Sequence, residues 1–182
     1  MLDRILIYGT MAGLAVGAML YATTAAPWGM PHGYLGMLIG YTTMLIALSL
    51  VFVGIKRQRD DAGGGVIGFW PAFGMGLGIS LVAGIFYVLA WELAQATTAS
   101  GFIESYTAAL MADKKASGAS AAELARYAAE MRAFETQYRD PLFRLPMTFA
   151  EIFPVGVLVS LVSAGLLRNP RFMPARRNRV PA

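Results

Sequence analysis

The sequence predicts an all-α polytopic membrane protein: a four-transmembrane-helix bundle with an extracytoplasmic helical hairpin between spans three and four. Of the 182 residues, 57% are hydrophobic and 14% are charged, whereas a soluble domain carries about 25% charged residues. The mean hydropathy is +0.54. The apolar residues also form runs of roughly twenty, the length that a helix needs to cross a hydrocarbon core of about 30 Å. These observations together favour a bilayer environment.

Four apolar runs define the expected spans. They cover residues 5–26, 34–55, 69–96 and 147–167. The first run is longer than the apolar core of a secretory signal, which is about 7–15 residues, so we interpret it as a retained helix. In the third run, Trp70 and Trp91 are 21 residues apart. That spacing corresponds to about 31 Å of helix rise and matches the distance between the two interfacial aromatic belts.

Basic residues indicate the orientation of the spans, because Lys and Arg accumulate beside span ends on the cytoplasmic side. With the N-terminus inside, the inner segments hold Arg4, the basic turn 56–59 and the arginines of a tail at 168–182, while the outer turn 27–33 holds none. We therefore predict that both termini are cytoplasmic and that the basic tail is disordered. The net charge of +4 then reflects topology and contact with the lipid bilayer, and no nucleic acid is expected as a partner.

The outer segment 97–145 resembles soluble protein and is predicted to form two helices broken near 116–120. In the second helix, apolar residues recur at steps of three and four and form one stripe. The stripe consists of Leu124, Tyr127, Met131, Phe134 and Tyr138. Asp140 and Pro141 are predicted to end this helix. The stripe must pack on the first helix of the hairpin, on the membrane surface, or on another protein.

Small residues at four-residue spacing predict close helix contacts within the spans, because in lipid such faces let backbones approach each other. The expected packing residues are Gly9, Gly13, Gly17, Gly36, Gly40, Gly74, Gly78 and Gly156. Two interpretations remain open. The faces pack inside one bundle, or the first of them joins two copies of the chain in a homodimer.

Carboxylates within a span are costly and are usually partnered or functional. The candidate polar or ligand-site residues are Glu92, Glu151, His32 and Gln95. All four lie near the predicted outer boundary, as does Arg144, so we expect one polar cluster beside a kink at Pro154. The cluster either stabilises helix packing or binds a ligand or proton.

The residue inventory limits the possible chemistry. The chain has no cysteine and one histidine, which excludes a thiolate site and a multi-histidine site within one chain. The remaining acidic pair identifies no substrate. We therefore predict no catalytic residue, no metal and no cofactor.

Several features recur together along the chain: the glycine-rich first span, the basic turn Lys56-Arg57-Gln58-Arg59, the run from Phe69 to Trp91-Glu92, the outer segment, and Glu151-Ile152-Phe153-Pro154-Val155-Gly156 leading into Ser160-Leu161 and Arg168. In this pattern the chain resembles a bacterial family of four-pass membrane proteins of unknown function, DUF 4199. The resemblance covers nearly the whole chain and implies a location in the bacterial inner (cytoplasmic) membrane, without an assigned activity.

The residues favour an accessory or scaffold component that acts through protein contacts, since the apolar stripe needs a covering surface and no chemical site is recognisable. The first alternative is a small transporter or ligand-binding membrane protein that uses the outer Glu/His cluster. As a transporter it would need a homodimer, because four spans are few. The second alternative is a membrane enzyme acting on lipid or an envelope precursor.

Overall fold

The computed structural model describes residues 1–26 and 33–175, and within these ranges the chain is helical with no strand. The helices are α1 (Leu2–Thr24), α2 (Gly33–Ala62), α3 (Phe69–Thr97), α4 (Phe102–Ala116), α5 (Ala121–Tyr138) and α6 (Pro141–Leu167). In the same ranges, α1, α2, α3 and α6 are long and apolar enough to cross a membrane. The predicted all-α class and the four candidate spans are therefore confirmed.

Two helices extend well beyond the apolar runs from which their spans were predicted. α2 continues to Ala62, past the end of the run 34–55, and α6 begins at Pro141, before the run 147–167. α5 ends at Tyr138, just before Asp140 and Pro141, as predicted, and the same two residues also start α6. The Asp140 carboxylate accepts a hydrogen bond from the Leu142 backbone at 2.9 Å, and a proline in the first turn lacks only a donor that the helix does not use.

α1 and α3 contact each other along a glycine seam. A Cβ atom added at any of its three glycines would lie 2.5 to 2.9 Å from the nearest Cβ atom of α3, far inside normal contact distance. The pairs are Gly9 with Val82, Gly13 with Phe86, and Gly17 with Ala90. The glycine face that was considered for homodimerisation is therefore covered by α3 of the same chain.

α3 and α6 meet through a reciprocal pair of small residues. A Cβ at Gly76 would lie 2.7 Å from Ser160 Oγ, and a Cβ at Gly156 would lie 2.6 Å from Ser80 Cβ. The two hydroxyls are 3.4 Å apart, and Ser160 donates to the Gly156 carbonyl at 2.7 Å. This buried contact fixes the separation of the two helices.

The other predicted packing glycines differ in how closely neighbouring atoms approach them. A Cβ at Gly78 would lie 3.1 Å from Ile5, whereas Gly40 and Gly74 have no atom within 4 Å of such a Cβ. Gly40 and Gly74 are therefore not at tight contacts among the described residues. Gly36 and Gly40 line a cavity, which is described below.

α2 packs along only part of its length. Its buried residues lie between Met44 and Arg59, and none of residues 33–43 is buried. The part from Met44 onward belongs to the main hydrophobic core, together with residues of α1, α3 and α6. The first part leaves space between α2 and the rest of the chain.

The start of α1, the end of α2 and the segment after α6 meet at one end, which we call the basic end. Arg4 donates to the Arg57 carbonyl and lies 3.3 Å from Asp61. Arg59 is fully buried. Its guanidinium contacts Asp60 at 2.7 Å and donates to the carbonyls of Phe172 and Met173 at 2.9 and 2.5 Å.

The segment after α6 corrects one prediction. We expected the tail from Arg168 onward to be disordered, but Phe172 packs edge to face against Phe52, with ring centroids 6.4 Å apart. Arg59 binds two carbonyls of the same segment. Residues 168–175 are therefore folded against α2, and residues 176–182 lie outside the described ranges.

Candidate functional site

At the opposite end, where α4 and α5 lie, a charged pair joins α3 to α6. The Arg144 guanidinium contacts both carboxylate oxygens of Glu92, at 2.7 and 2.6 Å, and donates to the Tyr138 carbonyl at 3.1 Å. Trp91 donates through its indole N–H to the Tyr138 hydroxyl at 2.8 Å. This two-oxygen arrangement is the strong form of an ion pair and holds the end of α5 against α3 and α6.

Glu151 does not belong to that group. It follows Arg144 by seven positions on α6, which is about 10 Å of helix rise. Its carboxylate accepts a hydrogen bond from the Tyr87 hydroxyl at 3.3 Å. In the structure, Glu92 and Glu151 therefore belong to two separate hydrogen-bonded groups.

The remaining cluster residues are placed as follows. Gln95 lies near the Glu92 group, and its side-chain Nε2 is buried without a hydrogen-bond partner in the described part of the chain. His32 lies outside the described residues. Sequence reasoning missed Tyr87, although its position four residues before Trp91 puts both on one face of a helix.

A cavity of about 550 Å³ lies beside the first part of α2. Its wall includes Gly36, Gly40 and Tyr41 of α2, and it is completed by side chains from α1, α3, α4, α5 and α6. Its size falls within the range of about 300–1,000 Å³ that is usual for small-molecule sites. We call it the α2 cavity.

The walls of the α2 cavity are mainly apolar and aromatic. Its aromatic lining residues are Tyr41, Tyr87, Trp91, Phe102, Tyr106, Phe134 and Tyr138. Two carboxylates, Asp113 and Glu151, also line it, and none of the described lining residues is Lys or Arg. Among the described residues, the cavity therefore combines a mainly apolar wall with two acidic side chains.

A second, polar cavity of about 480 Å³ is lined by Glu92 and Arg144 and by residues of α4 and α5. It shares Ile103 and Tyr138 with the α2 cavity. Tyr138 is buried, and this burial raises the pKa of its hydroxyl to about 12. The neutral, hydrogen-bonded Tyr138 therefore forms part of the partition between a polar and an apolar compartment.

The apolar stripe of α5 is partly covered by the chain itself. Tyr138 is buried, and Leu124, Tyr127, Met131 and Phe134 are partly buried. Phe134 packs edge to face against Phe143 of α6, at 6.3 Å between ring centroids. The proposed contact of this stripe with a partner protein stays a prediction.

Within the described ranges, no group of three or more His, Cys, Asp or Glu side chains is placed to hold a metal ion. The functional candidates are therefore the two cavities and their charged residues.

Comparison with known proteins identifies a family that matches most of the chain. The model of a family described as "Protein of unknown function (DUF4199)" matches residues 7–169, which include the greater part of α1 and all of α2 to α6. No curated protein and no solved structure matches the chain.

Proposed function

The chain belongs to the DUF4199 family, whose function is unknown, and we propose that it is a ligand-binding membrane protein. It takes up a small molecule with an apolar body into the α2 cavity. The observation that carries this proposal is Glu151, a carboxylate on a membrane-length helix that lines an apolar cavity. A carboxylate within a membrane-spanning helix is energetically costly and is usually functional or partnered.

The proposed frame is a four-helix bundle in the bacterial inner membrane, with α4 and α5 as an extracytoplasmic hairpin. Large apolar side chains are exposed on the outward faces of the four long helices, among them Leu14, Leu45, Leu89 and Leu158. The basic end carries the residues that favour the cytoplasm. Both termini are then cytoplasmic, and the α2 cavity lies in the outer half of the bilayer.

The geometry favours ligand binding over the accessory role. The apolar stripe, on which the accessory role depends, is partly covered within the chain, whereas the α2 cavity has the volume and the apolar lining of a small-molecule site. The cavity is bordered by the part of α2 where no residue is buried. A molecule dissolved in the bilayer would therefore reach Glu151 from the side, without crossing the hydrophobic core.

The test uses energy transfer from Trp91, which lines the cavity, to the neutral dye N-phenyl-1-naphthylamine. The protein is reconstituted in lipid nanodiscs with Trp28→Phe and Trp70→Phe, so that Trp91 is its only tryptophan. We expect a saturable component of transfer above the background of dye dissolved in lipid.

Two glycine variants make the test specific. Gly40→Phe fills part of the cavity and should abolish the saturable component. Gly74→Phe introduces the same side chain at another position that has no atom within 4 Å of a Cβ, outside the cavity lining, and should leave it intact. Absence of a saturable component in the parent protein, or an equal loss in both folded variants, would overturn the proposal.

A further inference from the structure

We infer that the molecule held in the α2 cavity is a lipophilic cation, an inference that rests on the proposed function and specifies its ligand class. The argument uses the charges, the aromatic rings and the size of the cavity.

The charged side chains among the described lining residues of the α2 cavity are all acidic. Asp113 and Glu151 line the cavity, and none of the described lining residues is basic. Two nearby basic side chains are engaged elsewhere. Lys114 lies over the ring of Tyr127, 6.0 Å from its centroid, and Arg144 contacts both carboxylate oxygens of Glu92. An anionic ligand would meet repulsion here, while a cation supplies the missing charge.

Glu151 is poorly compensated by its own chain. Among the described residues its hydrogen-bond partner is the Tyr87 hydroxyl, at 3.3 Å, and no salt bridge to it is formed. A carboxylate next to apolar walls is costly unless a positive charge or several hydrogen bonds accompany it. A cationic ligand provides that charge, and a neutral ligand does not.

The aromatic lining favours the same class. Tyr41, Tyr87, Trp91 and Tyr106 contribute rings to the wall. The face of an aromatic ring attracts a cation within about 6 Å of its centroid, and the attraction is strongest where water is excluded. Combined with a volume of about 550 Å³, this lining suits a compact cation with an apolar shell better than a metal ion or a small polar amine.

The experiment measures displacement of bound N-phenyl-1-naphthylamine in the single-tryptophan protein in nanodiscs. Two competitors are compared: tetraphenylphosphonium, a permanent cation, and triphenylphosphine oxide, a neutral molecule with similar aromatic groups. We compare the apparent dissociation constant of the cation with that of the neutral competitor. In Glu151→Gln, the ratio of the first to the second should rise by about tenfold or more, because attraction between a nearby carboxylate and a cation at low dielectric increases affinity by at least that factor.

The matched control is Glu130→Gln, which removes one negative charge from the exposed face of α5, outside the cavity lining. It should leave the ratio unchanged. If the dye binds and both competitors respond equally to Glu151→Gln, the cation inference is wrong while ligand binding stands. If the dye shows no saturable binding, the proposed function itself fails.

Discussion

Replacing Gly13 with Ala tests whether the α1–α3 seam belongs to one chain. The added Cβ would lie 2.5 Å from Phe86 Cβ, whereas carbon atoms in contact lie about 3.5–4.0 Å apart, so the helices must separate by about 1 Å. Overpacking of this kind costs about 1–3 kcal/mol. Alanine is favoured over glycine within a helix by about 0.5–1 kcal/mol. The free energy of unfolding should therefore fall by about 0–2.5 kcal/mol.

The matched control is Gly74→Ala, where the added Cβ meets no atom within 4 Å. The only expected effect there is the gain in stability from the higher helix propensity of alanine. Reversible unfolding by SDS in mixed micelles, followed by circular dichroism, measures both variants. We expect Gly13→Ala to be less stable than Gly74→Ala by about 1–3 kcal/mol. Equal stability of the two variants would refute the seam. A changed dimer fraction with unchanged unfolding would instead indicate that the glycines join two copies.

Three further predictions concern the two ends of the molecule. Arg59→Met leaves two carbonyls without their donor, so hydrogen exchange in residues 168–175 should accelerate; unchanged protection would show that Arg59 does not hold this segment. Glu92→Gln should lower the free energy of SDS unfolding by about 1–2 kcal/mol, less than the cost at a fully buried pair, and adding Arg144→Met should recover part of the loss. Strict additivity of the two changes would contradict that coupling. Hydrogen bonds from Ser120 hold the pKa of Glu123 below its usual value, so the stability that they contribute is present at neutral pH and is lost as the pH falls through that lowered pKa. NMR titration should find the Glu123 midpoint closer to its usual value in Ser120→Ala, and an unmoved midpoint would count against the capping contact.

The spans could be predicted because an uninterrupted apolar run has few alternatives in a chain of this composition. The ends of the helices could not be predicted with the same accuracy from the apolar runs. α2 runs past Ile55 because the charged turn after it continues the helix, with Lys56 and Asp60 paired one turn apart at 2.5 Å. α6 starts early because Asp140 caps it, and a cap cannot be distinguished from a stop signal without knowing which side of it is helical.

The candidate site was predicted only in part. Glu92 and Arg144 were expected at the same depth, and they are in contact. Glu151 was placed with them because the distance from the end of an apolar run is an uncertain measure of position along a helix that starts before that run, as α6 does. The burial of Arg59 was also missed, since its surroundings, a basic turn beside a span, are typical of a surface exposed to water. Long-range contacts, such as those with Phe172 and Met173, leave no local signal.

Because α2 packs on the rest of the protein along only part of its length, its first part is expected to contact the surrounding bilayer. From Met44 onward, α2 rests on protein, but along residues 33–43 none is buried, so in the proposed membrane setting lipid chains or a guest molecule have access to the neighbouring volume. The helix is therefore held by protein contacts at one end only, and we expect its tilt to depend on what occupies that volume. For the proposed ligand-binding role, we expect acyl-chain length and lateral pressure to change the width of the entrance to the α2 cavity.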